Sequence, residues 1–241
     1  MDAGYLGAYR ELYERHWWWR AREALLKREI ERLTPAGGFG RILDVGCGDG
    51  LFLPALLRFG DPFGIEPSAD ALSPDGPWRH RIHAGVLDAS YQPEQPFGLV
   101  LALDVIEHLA DPHAFMEHIR RVVAPGGWFI ATVPAFRALW TAHDDLNEHV
   151  TRFRRDELAS LVASHNLEVV HARYFFVLLA GAKLAVHALE KVLRPHPRTP
   201  GVPSAPINAV LEFTCRMEQA VLGRHAPWVG SSLLLVARAP G

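Results

Sequence analysis

Seven short apolar segments, separated by sequence of helical character, constrain the fold of this chain most strongly. The segments lie at 41–46, 62–67, 80–85, 97–105, 128–134, 167–177 and 231–240. The fourth is almost wholly apolar, as expected for a strand that is buried on both faces. Strands that alternate with helices at this spacing predict a parallel sheet with right-handed crossovers. We therefore expect an α/β fold built on a doubly wound, mostly parallel, seven-stranded sheet.

A chain of 241 residues is long enough to bury a sizeable core. We expect a single domain over 1–241, in which 41–176 forms the core sheet. The N-terminal segment 1–40 is predicted to be a helical cap. The segment 177–228 is predicted to be a helical insertion, and 229–241 to carry the final strand.

The composition argues against several classes of function. A formal net charge of −2 gives no global attraction to nucleic acid, so no nucleic-acid partner is expected. The two cysteines, Cys47 and Cys215, provide neither a disulfide framework nor a zinc ligand set. The N-terminus lacks the pattern of a secretion signal, and the apolar stretch 174–189 is interrupted by Lys183 and His187. We expect a cytoplasmic protein with no transmembrane segment.

A glycine-rich turn follows the first predicted strand, in the sequence "RILDVGCGDGLF", and the segment 51–60 is predicted to be the helix after that strand. Gly46, Gly48 and Gly50 stand at every second position after Asp44. In a parallel α/β sheet the ligand binds outside the carboxyl ends of the strands, and glycines there let it lie against bare backbone. The dinucleotide fingerprint G-x-G-x-x-G needs its third glycine where this chain has Leu51. An NAD(P)-dependent oxidoreductase is therefore the less favoured alternative.

Three motifs resemble those of class I methyltransferases that use S-adenosylmethionine (SAM). They are the acid and glycines of "DVGCGDG", the "IEP" of the second strand, and "LALDVIEHLADP" at 101–112. The resemblance extends over 41–134 and lies with the small-molecule branch, similar to methyltransferase types 11 and 12. It implies a Rossmann-like fold, SAM as the cofactor and S-adenosylhomocysteine as the product.

The resemblance also implies roles for single residues around the cofactor. Glu66 is expected to hold the ribose hydroxyls, Asp88 the adenine amino group, and Asp44 the amino end of the methionine portion. The full set of expected cofactor-binding residues is Asp44, Gly46, Cys47, Gly48, Gly50, Glu66, Asp88 and Leu103.

The expected function is transfer of a methyl group from SAM to a small-molecule acceptor. The acceptor atom is expected to be an oxygen or nitrogen nucleophile of a secondary or lipid-like metabolite. The alternative is a catalytically inactive, SAM-binding partner or regulatory subunit. Monomer and homodimer both remain open.

The polar segment "HDDLNEH" at 143–149 lies where this family builds its substrate cover. An imidazole that is hydrogen-bonded to a carboxylate there would deprotonate a hydroxyl or an amine. His143 and His149 are therefore candidate catalytic bases, with His143 ahead, and Asp144 is a candidate substrate residue. The alternative is a solvated polar loop that leads into a helix.

Asp104, Glu107 and His108 have the i, i+3, i+4 spacing that places side chains on one face of a helical turn. In ubiquinone-type O-methyltransferases a similar acid-x-x-Glu-His segment binds a divalent cation, with Glu where this chain has Asp104. We expect no metal, with Glu107 and His108 ordering the floor of the active site. A cation held by the three side chains is the alternative.

Three adjacent tryptophans in "HWWWRAR" belong to a helix predicted over 5–33. They cannot all face inward from a helix, so one or two of them are expected to pack on the core. The other interpretation is a lid, with Trp18 or Trp19 over the substrate and Arg20 or Arg22 near a carboxylate. Trp19 and Arg20 are the candidate substrate residues of that lid.

Apolar sequence at 174–193 and around 207–222 flanks a proline-rich break at 194–206. We expect helices that pack on the sheet or across a dimer. An exposed apolar face would instead suit a lipid-like acceptor or docking at a membrane surface.

Overall fold

The computed structural model describes residues 3–193, 201–222 and 227–241. Parts of the predicted insertion, 194–200 and 223–226, lie outside the described residues, as do the first two residues of the predicted cap. The strands are β1 (Arg41–Val45), β2 (Asp61–Glu66), β3 (Ile82–Ala84), β4 (Phe97–Leu103), β5 (Val123–Pro134), β6 (Glu168–Phe175) and β7 (Ser232–Arg238). The α-helices are α1 (Ala3–Arg15), α2 (Trp17–Leu33), α3 (Leu53–Leu56), α4 (Pro112–Val122), α5 (Ala142–Leu146), α6 (Arg155–Ala163), α7 (Val177–Leu193) and α8 (Ala205–Leu222).

The seven strands form one sheet in the order β3-β2-β1-β4-β5-β7-β6. Strands β1 to β5 are parallel to one another, whereas β7 runs antiparallel to both β5 and β6. The strand order reverses between β1 and β4. In such sheets the ligand crevice lies outside the carboxyl ends of the strands at this reversal. The predicted Rossmann-like, doubly wound, mostly parallel sheet is confirmed.

Alternate residues of the central strands supply two apolar cores, one on each face of the sheet. On one face Leu43 of β1 packs in a cluster that includes side chains of α4 and α6. On the other face Ile42 packs in a cluster with side chains of α2 and α3 and with Cys215 of α8. Because both faces are covered, the central strands are apolar at nearly every position.

Two elements differ in length from the sequence prediction. The helix predicted over 51–60 has only one α-helical turn, α3. Three-residue turns flank it, in which Leu53 N donates to Gly50 O at 3.1 Å and Phe59 N donates to Leu56 O at 2.8 Å. Strand β5 begins at Val123 rather than at 128, because a bulge lets Val123 pair with Phe97 before the regular register starts.

The predicted N-terminal helix is divided at His16, which separates α1 from α2. His16 has extended backbone angles, and its Nδ1 accepts a hydrogen bond from Trp18 N at 3.1 Å. A side-chain acceptor at this position satisfies a donor at the start of a helix. The break lets α2 pack on the sheet, while Arg10 of α1 forms an ion pair with Asp49 in the glycine-rich turn.

Arg22 fixes α2 to the carboxyl edge of the sheet. Its guanidinium lies 2.6 Å from Asp104 Oδ2 and donates to Thr132 Oγ1 at 3.1 Å, and it lies over the ring of Trp18. Asp104 directly follows β4, and Thr132 lies near the end of β5. One buried cation therefore joins the N-terminal helix to the two strands beside the ligand crevice.

We expect Arg22→Ala to lower the free energy of unfolding by about 1.5–3 kcal/mol, because it removes charge-assisted hydrogen bonds from a buried site. Arg20→Ala is the matched control on the same helix. Its side chain is half-exposed and pairs with Glu212 at 2.9 Å, so its loss should cost less than about 1 kcal/mol. Urea unfolding measures both. Equal losses for the two variants would contradict the role given to Arg22.

Candidate active site

The glycine-rich turn leaves an open backbone surface at the carboxyl end of β1. Gly46, Gly48 and Gly50 all have positive φ, between 53° and 74°. A Cβ added at Gly46 would lie 2.6 Å from Val105 Cγ2, so this glycine allows the turn to contact the segment after β4. A Cβ at Gly48 would meet nothing within 4 Å. Gly48 therefore offers bare backbone on the ligand side of the turn.

Glu66 closes the turn from the end of β2. Its carboxylate accepts hydrogen bonds from Gly48 N at 2.9 Å and from Ser68 N at 2.9 Å. A carboxylate oxygen has more than one lone pair, so these two bonds leave further acceptor capacity. Glu66, the residue that is expected to bind the ribose hydroxyls, is therefore held in place at the edge of the crevice.

Asp44 is buried at the carboxyl end of β1. Burial raises the pKa of this carboxyl to about 7, Arg22 opposes the rise, and Glu66 adds to it. A positively charged ligand group placed beside Asp44 would favour its ionised form. The site is therefore suited to the amino group or the sulfonium of SAM and unfavourable for an anion.

The remaining expected cofactor residues lie around the same edge. Gly50 packs against Ile82 and Trp78, and the thiol of Cys47 lies against Gly64 beneath the turn. Burial raises the pKa of Cys47, so it remains a thiol. The other two are Leu103, partly buried at the end of β4, and Asp88, half-exposed beyond β3, whose Oδ1 accepts from Ser90 N at 2.8 Å.

The turn after β4 carries the three side chains of the metal alternative, and these side chains have different surroundings. Asp104 has φ 59° and is held by Arg22 and Thr132. Glu107 is completely buried, and neither of its side-chain oxygens has a hydrogen-bond partner in the described chain. Burial, together with the charge of Asp104, raises the pKa of Glu107 well above its usual value.

Asp144 is the centre of a buried polar network on α5. It receives two hydrogen bonds from Arg152, from Nε at 2.8 Å and from Nη2 at 3.0 Å. His149 Nδ1 lies 2.7 Å from its Oδ1, and Thr141 N donates to its Oδ2 at 2.8 Å. Although burial opposes ionisation, the bonds from His149 and Arg152 lower the pKa of Asp144 below its usual range.

The two candidate histidines have different surroundings. His143 Nε2 lies 2.9 Å from the side-chain amide nitrogen of Asn147. Burial, with Lys183 nearby, lowers the pKa of His143 to about 4. His149 instead pairs with Asp144, and its ring lies 4.9 Å from the ring of His108. The geometry therefore favours His149, the second of the two candidates, as the oriented imidazole.

Glu107, His108 and His149 form a compact group of possible metal ligands. One ligand atom from each lies within 4.8 Å of the others. The group fits a cation because Glu107 brings an unpartnered buried carboxylate and the histidines bring imidazole nitrogens. His149 thus takes the place that the sequence analysis gave to Asp104.

Backbone contacts connect this group to the glycine-rich turn. Val150 N donates to Glu107 O at 2.8 Å, which holds the segment after His149 against the turn after β4. Val105 of that turn in turn contacts Gly46. The expected cofactor surface and the Asp144–His149 pair therefore lie on one continuous edge of the sheet.

The expected lid residues make contacts with other helices. Trp19 is buried in a small cluster with Leu12, Trp18 and Leu146, so it connects the N-terminal helices to α5. Arg20 points to Glu212 of α8. Their contact with a substrate stays a prediction.

Sequence reasoning left Arg152 and Thr132 out of the site and gave Arg22 only a general role. Arg152 stands in the basic run "TRFRR", where no local spacing distinguishes it from solvent-facing arginines. Thr132 is one of several residues in an apolar strand. Only the tertiary fold brings these side chains to the carboxylates of Asp104 and Asp144.

A profile of the methyltransferase domain family matches residues 18–172. A ubiquinone biosynthesis O-methyltransferase of Maricaulis maris is 36% identical over 101 residues, which is 37% of this chain and 39% of that protein. Another, of Paracidovorax citrulli, is 28% identical over 205 residues, which is 72% of this chain and 84% of that protein. The chain thus spans well under half of the first relative and most of the second.

Two solved structures share the fold. One is the methyltransferase from a complex with the Haloferax volcanii Trm112 methyltransferase activator, with TM-score 0.61, 19% identity, and 99% of this chain and 95% of that chain covered. The other is phosphoethanolamine N-methyltransferase 2 of Haemonchus contortus in complex with SAM, with TM-score 0.56, 16% identity, and 90% and 52% covered. The chain belongs to the methyltransferase domain family. It is a class I SAM-dependent methyltransferase, distantly related to the ubiquinone biosynthesis O-methyltransferases.

The raised pKa of Asp44 predicts a pH dependence for SAM binding. Below about pH 7 Asp44 is mainly neutral, and only its ionised form attracts the cationic ligand, so affinity should rise with pH. Between about pH 5.5 and pH 7.5 the affinity for SAM should increase on the order of tenfold. The amino group of SAM stays charged over this range, because the ordinary pKa of an α-amino group is about 7.7–8.0.

Isothermal calorimetry measures this dependence, with Asp44→Asn as the comparison. The asparagine variant should bind SAM more weakly and with affinity that changes little over the same pH range. A wild-type affinity that is constant, or that falls with rising pH, would contradict the assignment of Asp44 to the cationic end of the cofactor.

Proposed function

We propose that this chain transfers the methyl group of SAM to a hydroxyl oxygen of a small-molecule acceptor, with His149 as the general base. The observation that carries the proposal is the 2.7 Å contact between His149 Nδ1 and Asp144 Oδ1. An ionised Asp144 favours the tautomer in which Nδ1 carries the proton and Nε2 has a free lone pair. The relatives named O-methyltransferases support an oxygen nucleophile.

The cofactor is proposed to lie on the glycine-rich turn. Glu66 would bind the ribose hydroxyls, Asp88 the adenine amino group, and Asp44 the amino end of the methionine portion. The unobstructed backbone at Gly48 supports this placement. The ionised carboxylate of Asp44 at the glycine-rich turn would repel the pyrophosphate of a dinucleotide, which argues against the oxidoreductase alternative.

In the proposed step the acceptor oxygen attacks the methyl carbon in line with the carbon–sulfur bond. The new carbon–oxygen bond forms as the carbon–sulfur bond breaks, and the sulfonium becomes the neutral thioether of S-adenosylhomocysteine. The hydroxyl proton passes to Nε2 of His149, and the resulting imidazolium is stabilised by Asp144. Alignment of the reactants accounts for up to ~7–11 kcal/mol of such a barrier, and the base for roughly 10²–10⁴ in rate.

Arg152 is a positioning residue in this proposal. Its two bonds to Asp144 and its third, from Nη1 to Ala135 O at 2.8 Å, hold the carboxylate against the chain that follows β5. A fork-shaped guanidinium holds a carboxylate in a defined orientation. The direction of the His149 ring therefore depends on a side chain that does not itself face the acceptor.

His149→Ala should lower the turnover number by roughly 10²–10⁴ and leave SAM affinity within about twofold. His143→Ala is the comparison, because both histidines lie in the same segment and the bond to Asp144 described above is made by His149. It should change turnover by no more than about threefold. Formation of S-adenosylhomocysteine is measured with the phenol, from a panel, that gives the highest wild-type rate.

A greater loss for His143→Ala than for His149→Ala would reverse the assignment. Binding of SAM without turnover of any phenol, alcohol or amine would instead favour the inactive SAM-binding subunit. The two variants also separate folding from catalysis, since SAM affinity reports an intact cofactor site in each.

A divalent cation bound by Glu107, His108 and His149 is a second candidate for activating the acceptor. The unpartnered carboxylate of Glu107, within 4.8 Å of both imidazoles, favours it. When bound, the cation would lower the pKa of a coordinated hydroxyl. In that case His149 is a ligand and Asp144 orients it, as the outer partners of metal-bound histidines commonly do.

The two candidates differ in their response to EDTA. Catalysis by a free His149 base should proceed at an unchanged rate after EDTA treatment, and Glu107→Gln should reduce turnover by less than about tenfold. Catalysis through a cation should be abolished by EDTA and restored by Mg²⁺ or Zn²⁺, and Glu107→Gln should abolish that restoration. Turnover of the treated enzyme, before and after metal addition, decides between them.

A further inference from the structure

Helix α8 leaves a row of large apolar residues exposed to solvent. On its inner side Cys215 packs in the core, Asn208 Oδ1 accepts from Trp17 N at 2.9 Å, and the buried Glu218 accepts from Val177 N at 2.7 Å. The outer side carries Ile207, Val210, Phe213, Met217 and Val221, all exposed. A helix on the surface of a globular domain is expected to expose polar residues on that side instead.

Helix α7 continues the exposed apolar surface. Leu178, Leu184, Val186 and Leu189 are all exposed along it. Within the described chain, eleven of the fifteen exposed large apolar side chains lie between residues 178 and 229. They are concentrated on two helices and are not scattered, so they mark an interaction surface. We call it the α7–α8 face.

The α7–α8 face carries little charge of its own. Of the described residues that are exposed in 178–189 and 205–222, none is acidic, and the one basic residue, Arg216, pairs with Glu212 of the same helix at 2.8 Å. The sequence between the two stretches, 190–204, carries three basic residues and one acidic residue. Trp228, beyond α8, is 87% exposed, and tryptophan is favoured at the boundary between lipid and water.

We infer that the α7–α8 face docks on the surface of an anionic lipid bilayer. Two helices with exposed apolar residues, joined by a segment of net positive charge, suit the headgroup region of such a membrane. No helix in the described ranges is long and apolar enough to cross a membrane, so contact would be with the surface.

The face adjoins the proposed acceptor site. His187 of α7 bonds through Nδ1 to Trp140 O, and the indole nitrogen of Trp140 donates to Asp145 of α5 at 2.9 Å. Asp145 is the neighbour of Asp144 in sequence. Docking would therefore bring a bilayer beside the segment that carries the proposed base, where an acceptor with an apolar body would arrive. The docking itself does not depend on the proposed function.

Co-sedimentation with vesicles tests the inference. The full chain should bind vesicles of equal parts phosphatidylglycerol and phosphatidylcholine, and bind vesicles of phosphatidylcholine alone more weakly. Phe213→Glu and Leu184→Glu should each lower binding to the anionic vesicles by about tenfold. Leu57→Glu is the matched control, since Leu57 is also half-exposed, at 52%, but lies next to α3. It should bind as the wild type does.

Thermal unfolding of each variant shows that it is folded, so that lost binding reports on the face. If the wild type binds neither kind of vesicle, the inference is overturned. It is also overturned if Leu57→Glu lowers binding to the anionic vesicles as much as Phe213→Glu and Leu184→Glu do. Sedimentation equilibrium in the absence of lipid should give a monomer. A wild-type dimer that Phe213→Glu converts to a monomer would show that the face is covered by a second copy and would also overturn it.

Discussion

The buried ion pair between Asp144 and Arg152 is the interaction on which the proposed acceptor site depends. Both side chains are inaccessible to solvent, and each would leave an uncompensated buried charge if the other were removed. The ionised Asp144 also starts α5, by accepting from Thr141 N, and orients His149. Arg152 reaches Ala135 as well. One pair therefore sets both the path of the chain after β5 and the direction of the imidazole.

The sheet determines where this arrangement can act. The glycine-rich turn after β1 and the turn after β4 contact each other at Gly46 and Val105. This contact requires a glycine, because a side chain at position 46 would not fit against Val105. The segment after β5 is then fixed on the second turn by Val150. Arg22 adds the N-terminal helix to the same edge. A methyl donor on the first turn and an acceptor under α5 would thus be held by elements of one rigid edge.

Much of the fold could be predicted, because the spacing of apolar residues and the glycines and prolines between elements are local properties of the sequence. All seven strands were expected, whereas their order in the sheet comes from the structure. The helix over 51–60 was overestimated, since its apolar residues are equally compatible with the short turns observed. The break at His16 depends on a single side-chain cap, which the tryptophan pattern does not reveal.

The cofactor residues follow each other along the chain in a recognisable motif, whereas the residues around the acceptor do not. His143 and His149 have similar sequence neighbours, and only the fold gives Asp144 to the second. Asp104 had the spacing of a metal ligand, yet Arg22 from a distant helix engages it. Contacts between residues so far apart in sequence cannot be read from spacing.

The protonation state of His149 tests the central claim most directly. Nitrogen NMR of histidine-labelled protein, with the signal assigned by its disappearance in His149→Gln, measures which ring nitrogen carries the proton. The account predicts that the neutral ring carries its proton on Nδ1, donated to Asp144, and leaves Nε2 unprotonated. A neutral ring with the proton on Nε2 would contradict it, because the lone pair that remains would then be turned to Asp144 and not to the acceptor.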